Sequence, residues 1–395
     1  MKLLKNFVAA AIVSVACTPF PDLTRALGPM RMDTMLNRNP VGREKHSSPG
    51  TMISSMLLFP EGYDWVRDTA YGAKGPALAL FEGTKRKLFL DGLPEADMDT
   101  HRIAGGHLYS DYSTEDETVV LADGTEIFRF KGRESFSGFL VRKDGIHTLG
   151  RGRSGGGFVY RIDGRERLSR LSGTLLGGFQ EDGGKLWFAF RARDENSRKV
   201  LYYISDGASC KEVDDALSFD KVLEIRISGG RTIVTGSRAA SKRNPVVSID
   251  GDIVQLGSRN PPGEVISCSL VSGTGDLLFK GSYRTADGGE VFVIWNRKGP
   301  LETFPEGDVL AAVLPFGKQY ISLRHSGGRL ILRNLEGADS DIGPYRLMAP
   351  SCVALKDGKP LLAMTGDGGC CLWYDGKYYR IPGNGFLTGV DIIRE

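Results

Sequence analysis

The 395-residue chain carries 51 Lys and Arg against 48 Asp and Glu, so its formal net charge at pH 7 is only +3. A charge balance this close to neutral gives no electrostatic argument for nucleic-acid binding, and we expect no nucleic-acid partner. The chain contains 52 glycines, where an average composition would give roughly 28. Because no Gly-X-Y period accompanies them, a collagen is excluded, and the surplus predicts many tight turns.

The first 17 residues have the pattern of an export signal. Lys2 and Lys5 precede an apolar run that ends at Ala16 and is too short to span a bilayer as a helix. Small residues lead directly into Cys17, as in a lipobox, although Ser14 stands where a Leu is usual. We predict that residues 1–17 are a lipoprotein-type signal peptide and that Cys17 is lipidated. A plain signal peptide and an ordinary N-terminal helix are the alternatives.

Residues 18–50 contain several Pro, Arg, Asn and Ser residues and little periodicity, which indicates a flexible tether. From residue 51 to residue 395, strand-like runs follow one another without a convincing amphipathic helix, and we predict a single domain. The stretch from Trp187 to Val213 shows the repeating unit. Two runs rich in aromatic and β-branched residues flank a polar turn, and a turn at Asp206-Gly207 leads into a third run.

This unit recurs at roughly 40-residue intervals, which is the length of one propeller blade. Predicted fourth strands begin near residues 87, 126, 166, 210, 253, 301, 339 and 378, each after a third strand that ends in a glycine turn. The predicted first strands are the most apolar and glycine-rich, as strands that crowd a central axis should be. The pattern predicts an all-β fold, a β-propeller of seven or eight four-stranded blades, and the repeat count favours eight. A solenoid or an open array of sandwiches is the alternative.

The C-terminal segment 386–393 is left over as a ninth candidate first strand. In a closed propeller the last segment often completes the first blade and so removes an open sheet edge. Either this segment or residues 52–59 should therefore form the inner strand of the first blade.

The chain resembles the lipoprotein β-propellers exported by gut Bacteroidota. The resemblance covers residues 1–17 and 52–395 and depends on the lipobox-like Cys17 and on the Asp-Gly-punctuated strands. The sequence has no series of Trp-Asp dipeptides, no kelch signature and no sialidase box. The resemblance implies a fold and a location at the cell envelope, lipid-anchored to the outer membrane, and little about activity.

No catalytic, cofactor or metal motif stands out. Gly152-Arg153-Ser154-Gly155-Gly156 matches a nucleophile elbow, but a strand follows it where a helix is needed. The acidic clusters at residues 97–99 and 113–117 lack the full spacing of a calcium loop. We therefore expect no metal and no cofactor. Apart from Cys17, the five cysteines fit no zinc pattern, and buried free thiols are the main expectation, with one disulfide as the alternative.

One recurrent feature suggests a binding surface. In six of the eight units, an arginine stands where the predicted second strand ends in its loop. These arginines are Arg67, Arg151, Arg153, Arg191, Arg193, Arg238, Arg284 and Arg324. Equivalent positions of successive blades form a ring on one face, so these guanidiniums could hold carboxylates, sulfates or phosphates. The alternative is a ring of solvated arginines neutralised by nearby acidic residues.

The sequence favours a binding or scaffold protein for an acidic glycan or an envelope partner protein. The first alternative is a glycan-active hydrolase or lyase, whose reachable candidates are Asp111, Tyr112, Asp287, His325 and Asp367. The second is a structural subunit of an outer-membrane complex, with exposed Tyr and Trp residues at its rim.

Overall fold

The protein is described from a computed structural model, which covers residues 52–58, 77–91, 101–152, 157–170, 172–194, 197–238, 244–257, 263–271, 277–316, 318–356 and 359–392. These residues form eight separate antiparallel sheets arranged as the blades of a propeller. The predicted all-β fold and the count of eight blades are therefore confirmed.

The blades are numbered in chain order. Blade 1 contains β1 (Met52–Leu58), β2 (Ala77–Glu82), β3 (Lys85–Leu90) and the C-terminal β34 (Gly385–Ile392). Blade 2 contains β4 (Arg102–Ala104), β5 (His107–Ser113), β6 (Glu117–Ala122) and β7 (Thr125–Lys131). Blade 3 contains β8 (Glu134–Arg142), β9 (Gly145–Gly152), β10 (Phe158–Ile162) and β11 (Arg165–Arg170). Blade 4 contains β12 (Thr174–Leu175), β13 (Gln180–Asp182), β14 (Lys185–Arg193), β15 (Val200–Ser205) and β16 (Cys210–Glu212).

The second half of the ring follows the same plan. Blade 5 contains β17 (Lys221–Ser228), β18 (Arg231–Ser237), β19 (Val246–Ile249) and β20 (Asp252–Gln255). Blade 6 contains β21 (Glu264–Val271), β22 (Leu278–Arg284), β23 (Glu290–Asn296) and β24 (Gly299–Thr303). Blade 7 contains β25 (Val309–Phe316), β26 (Gln319–Ser326), β27 (Arg329–Arg333) and β28 (Asp339–Gly343). Blade 8 contains β29 (Tyr345–Arg346), β30 (Val353–Lys356), β31 (Lys359–Gly366), β32 (Gly369–Tyr374) and β33 (Lys377–Ile381). Short 3-10 helices span Asp214–Ser218 and Pro350–Cys352.

The ring is closed by pairing of the two ends of the described chain. In blade 1 the strand order is β3-β2-β1-β34, with Met52 opposite Ile392 and Leu58 opposite Gly385. Of the two segments that the sequence offered for the inner strand, the C-terminal one occupies it, and β1 is the second strand of the blade. Closure between segments more than 300 residues apart removes the sheet edges that an open blade would expose.

The hydrophobic core is divided among the blade interfaces. In the described part of the chain, eight apolar clusters occur, and each joins residues of two neighbouring blades. Cys370 and Cys371 illustrate the alternation of a strand, because Cys370 packs toward blade 1 and Cys371 toward blade 7. Burial raises the pKa of the Cys371 thiol to about 12. All five described cysteines are free thiols; four are buried and Cys210 is exposed.

The predicted Asp-Gly turns connect third and fourth strands. At Asp163-Gly164 both residues have positive φ, 48° and 73°, which is the type I′ geometry that matches strand twist. The Asp163 amide donates to the Ile146 carbonyl at 2.9 Å, and its carboxylate accepts from the Ile146 amide at 2.8 Å. Asp123 makes the same pair of bonds with Leu108, and Asp250 makes them with Thr232. The turn is thus fixed to the second strand of its own blade.

Among the described residues, no helix is long and apolar enough to cross a bilayer. The predicted signal peptide, Cys17 and the tether all lie outside the described residues.

Candidate functional site

The antiparallel order of each blade defines two faces of the propeller. Loops that join second to third strands, and connections that join one blade to the next, lie at one end of the strands. Turns that join first to second and third to fourth strands lie at the other end. The first end carries all the predicted arginines that are described, and we call it the arginine-bearing face. The second end carries the turns at Asp123, Asp163, Asp250 and Asp375, and we call it the Asp-Gly face.

Two of the predicted arginines are used to hold neighbouring segments together. Arg151 donates from Nη2 to the Leu175 carbonyl of the next blade at 2.9 Å. Arg238 donates from Nε to the Ser218 carbonyl at 3.0 Å, and its guanidinium lies 5.8 Å from the centre of the Phe219 ring. Both contacts fix connections between blades, so these side chains serve packing on this face.

Arg324 is neutralised within the fold. Its Nε lies 3.1 Å from Asp308 Oδ2, and its Nη2 lies 2.6 Å from Asp339 Oδ2. The hydrogen bond from Arg324 holds the pKa of Asp339 below its usual range. A guanidinium with two carboxylate partners has little remaining capacity for an external anion.

Three predicted arginines remain exposed: Arg191, Arg193 and Arg284. Arg284 stands opposite Glu290 across the β22–β23 pair. Arg67 and Arg153 lie outside the described residues. The predicted ring is thus chemically uneven, with exposed arginines in blades 4 and 6 and committed ones in blades 3, 5 and 7.

Blade 4 carries an exposed group of four cations. The group consists of Arg191, Arg193, Arg198 and Lys199, which we call the basic hairpin. Arg191 and Arg193 are two positions apart on β14 and therefore point to the same side of the sheet. On β15, Tyr202 stands opposite Arg191, and the exposed Val200 stands opposite Arg193.

Hydrogen bonds fix the shape of the basic hairpin. The Asp194 amide donates to the Lys199 carbonyl at 2.8 Å, and the Arg198 amide donates to the Asp194 carbonyl at 2.9 Å. Arg198 has a φ of 57°, in the left-handed region that non-glycine residues enter only when their surroundings hold them there. Its carbonyl accepts a bond from Arg193 Nε at 3.2 Å. The cations therefore stand on a preorganised turn.

The five residues considered for glycan hydrolysis belong to four blades. Asp111 and Tyr112 are in β5, Asp287 is in the β22–β23 loop, His325 is in β26, and Asp367 is in the β31–β32 turn. Asp287 accepts a hydrogen bond from the Thr285 hydroxyl at 2.5 Å, which is a local turn contact. Within the described residues, no group of three His, Cys, Asp or Glu side chains could hold a metal ion.

The pairing of His325 with Arg346 was not foreseen from the sequence. Burial, together with the positive charge of Arg346, lowers the pKa of His325 to about 4. The two residues belong to neighbouring blades, so the packing of blade 8 against blade 7 brings them near each other. Arg346 lies in no strand predicted from the sequence, so no sequence signal linked it to His325.

Comparisons with known proteins agree with this fold. No protein-family model matches the chain. No curated protein matches it in sequence. Among solved structures, the dihydro-heme d1 dehydrogenase NirN in complex with DHE is 11% identical with a TM-score of 0.54, over 97% of this chain and 81% of that chain. The WD40 domain of SCAP from fission yeast is 11% identical with a TM-score of 0.45, covering 75% and 87%. Hsv2p of Kluyveromyces lactis is 9% identical with a TM-score of 0.40, covering 80% and 93%.

The fold therefore defines the class: this chain is an eight-bladed, single-chain β-propeller. At 11% identity, the similarity to NirN, with its TM-score of 0.54, supports the fold and nothing finer. A propeller is a rigid platform that is compatible with a binding or scaffold role.

Proposed function

We propose that this chain is a lipid-anchored binding scaffold of the cell envelope, which engages an acidic partner protein through its arginine-bearing face. The basic hairpin of blade 4 is the observation that carries the proposal. It presents four cations on a turn held by backbone hydrogen bonds, with Tyr202 and Val200 beside them. Arg and Tyr are enriched at protein interfaces, where a preorganised side chain loses little entropy on binding.

The other described arginines of this face support the site indirectly. Arg151, Arg238 and Arg324 hold blade connections in place, so the platform around the hairpin is rigid. Anchoring through Cys17 and location at the outer membrane remain part of the proposal and derive from the sequence pattern alone.

The test of the binding surface uses the full chain with Arg191, Arg193 and Arg198 all changed to Glu. Partners are captured from envelope extracts by cross-linking and compared with those of the unmodified chain at low and high salt. A matched variant changes Lys143, Arg165 and Lys377 to Glu, all exposed on the Asp-Gly face. We expect the first variant to lose an acidic, salt-sensitive partner that the second retains.

Equal capture by both variants would exclude the basic hairpin as the binding surface. Direct titration with polygalacturonate tests the acidic-glycan alternative. If the variant with the three arginines changed to Glu loses polymer binding but keeps every protein partner, the ligand of the basic hairpin is an acidic glycan and not a protein. For the anchor, Cys17→Ala should abolish incorporation of a labelled fatty acid and release the chain from membranes. An unchanged membrane fraction without lipid label would remove the anchor from the proposal.

A further inference from the structure

A cleft of about 310 Å³ opens on the Asp-Gly face between blades 4 and 5. This volume is at the small end of ligand pockets, which span roughly 300–1,000 Å³. It is lined from blade 4 by Trp187, Ile204 and two lysines, and from blade 5 by Ile227 and Thr232. The cleft is remote from the basic hairpin, because the two lie at opposite ends of β14.

The apolar wall of the cleft is the end of a blade interface. Trp187 and Ile227 pack at the margin of the cluster whose centre is Ala189, Ile204 and Ile225. Trp187 is only partly buried and is one of the residues that line the cleft. An aromatic ring beside an open cleft offers a stacking surface to a ligand with an apolar ring face.

Side-chain hydrogen bonds hold the walls of the cleft together. The Gln180 amide group donates to the Ile225 carbonyl at 2.6 Å and accepts from the Ile227 amide at 3.1 Å, so it pairs with β17 as a strand residue would. The Asp182 carboxylate accepts from the Gly229 amide at 2.7 Å and from the Gly230 amide at 2.8 Å. These four bonds join β13 of blade 4 to β17 and to the β17–β18 turn of blade 5, and they make the cleft preformed.

The polar groups of the cleft have unused bonding capacity. Lys185 and Lys211 are exposed, and neither pairs with a carboxylate of the described chain. The Asp182 carboxylate also lines the cleft and keeps its negative charge while it accepts from two backbone amides, so the two ammonium groups leave the cleft with a net charge of one positive. Within the same part of the chain, no protein atom hydrogen-bonds the Trp187 indole N–H or the Thr232 hydroxyl. The cleft thus combines an aromatic side chain, two cations, one carboxylate and two neutral hydrogen-bonding groups.

We propose that this cleft binds a sugar acid of single-residue size, a uronate, free or at the end of an acidic polysaccharide. The pyranose ring lies against Trp187, the carboxylate binds Lys185 and Lys211, and ring hydroxyls bond to Thr232 and the indole N–H. The neutral donors favour a hydroxylated ring over an aromatic acid, and the lysines favour a carboxylate over a neutral sugar. This site is independent of the proposed partner surface on the other face.

The experiment titrates the full chain with galacturonate, galactose and benzoate, followed by saturation-transfer NMR and tryptophan fluorescence. Losing two charge-assisted hydrogen bonds should weaken galacturonate binding by a factor of about ten or more in the double variant Lys185→Gln, Lys211→Gln. Trp187→Phe should remove the fluorescence change. The matched control Lys143→Gln, Lys377→Gln alters exposed lysines of the same face outside the cleft and should bind like the unmodified chain.

The remaining outcomes identify the source of the sugar acid or overturn the proposal. Oligogalacturonate that binds more tightly than the monosaccharide, with the same lysine dependence, supports the polysaccharide end as the source; equal affinity supports the free sugar acid. No galacturonate binding, equal binding of galactose or benzoate, or binding that is unaffected by the lysine changes overturns the proposal. Loss of galacturonate binding in the Arg191, Arg193, Arg198 variant alone would also overturn it and assign the ligand to the basic hairpin.

Discussion

The two ends of the interface between blades 4 and 5 are built from the same strands but stabilised in different ways. At the Asp-Gly end, turns of two residues are fixed by carboxylates and amides that bond to backbone, as Gln180 and Asp182 do. At the arginine-bearing end, longer connections are held by guanidinium contacts such as that of Arg238. Short turns leave the backbone little conformational freedom, so the Asp-Gly end forms a fixed cleft. Longer loops leave charged side chains exposed, so the arginine-bearing end forms a charged surface.

The same comparison separates structural charges from available ones. Within blade 3, a buried bidentate pair joins Glu134 to Arg161, with N–O distances of 2.7 and 2.8 Å, and the Arg161 guanidinium lies 4.2 Å from the Phe130 ring centre. On the arginine-bearing face, Arg324 is likewise held by Asp308 and Asp339, whereas the cations of the basic hairpin are exposed. Position on a face therefore does not decide whether a cation is free; burial and the nearest carboxylate do.

The largest expected effect is the loss of that buried pair. Glu134→Ala leaves Arg161 charged, buried and unpaired, and should lower the free energy of unfolding by about 3–5 kcal/mol. Glu117→Ala is the control, because Glu117 pairs with Arg129 at the surface and its loss should cost less than about 1 kcal/mol. Urea denaturation of both variants measures the difference. Equal destabilisation would mean that the buried pair contributes no more than an exposed one.

A pH dependence should follow from His325. Its pKa falls from 6.5 to about 4 on folding, because burial and the nearby Arg346 disfavour the imidazolium. Below pH 6.5 the unfolded chain binds a proton that the folded chain does not, so stability falls as the pH drops from 6.5 to 4, by about 2–3 kcal/mol. His325→Gln should flatten this part of the stability curve. A curve with the same slope in the variant would exclude His325 as its cause.

A smaller effect tests the turns of the Asp-Gly face. Asp163→Ala removes the bond to the Ile146 amide and leaves an Ala at φ near 48°, which together should cost about 1–2 kcal/mol. Asp375→Ala is the matched control. Its φ is 51°, but the residue opposite is Pro360, which has no amide proton to donate. The exposed ion pair of Asp375 with Lys359 should contribute less than about 1 kcal/mol. Thermal denaturation should show the Asp163 variant to be the less stable by about 1 kcal/mol. A reversed order would contradict this account of the turns.

The smallest expected effect on stability is at the basic hairpin. Arg191 is exposed, so Arg191→Gln should change the free energy of unfolding by less than about 0.5 kcal/mol. The same variant should nevertheless weaken partner binding in a salt-dependent way. Denaturation and binding measured on one preparation separate the two roles. A clearly destabilised Arg191 variant would move this residue to the group of structural arginines.

Local features of the chain were predictable from the sequence. All eight predicted fourth strands are outermost strands of blades, and the stretch from Trp187 to Val213 forms β14, β15 and β16. The Asp-Gly turns have the expected positive φ. These features depend on residues close together in sequence, namely alternation within a strand and two residues at a turn, so composition and spacing were sufficient.

The availability of each arginine could not be predicted in this way. Arg324 and Arg191 occupy similar places in the repeat, yet one is neutralised by Asp308 and Asp339 and the other is exposed. The difference arises because Asp308, in the connection before β25, and Asp339, in β28, both reach Arg324. Arg151 likewise finds its acceptor, Leu175, in the next blade.

The sequence by itself thus determined the class of fold and the turn chemistry and favoured eight blades over seven, because each feature is local and recurs in every unit. Only the tertiary structure decided that residues 385–392 close the ring, that Gln180 and Asp182 join blade 4 to blade 5, and that a cleft lies beside Trp187. Each of these depends on contacts between segments tens to hundreds of residues apart. Such contacts are set by how blades pack around an axis, which no local pattern specifies.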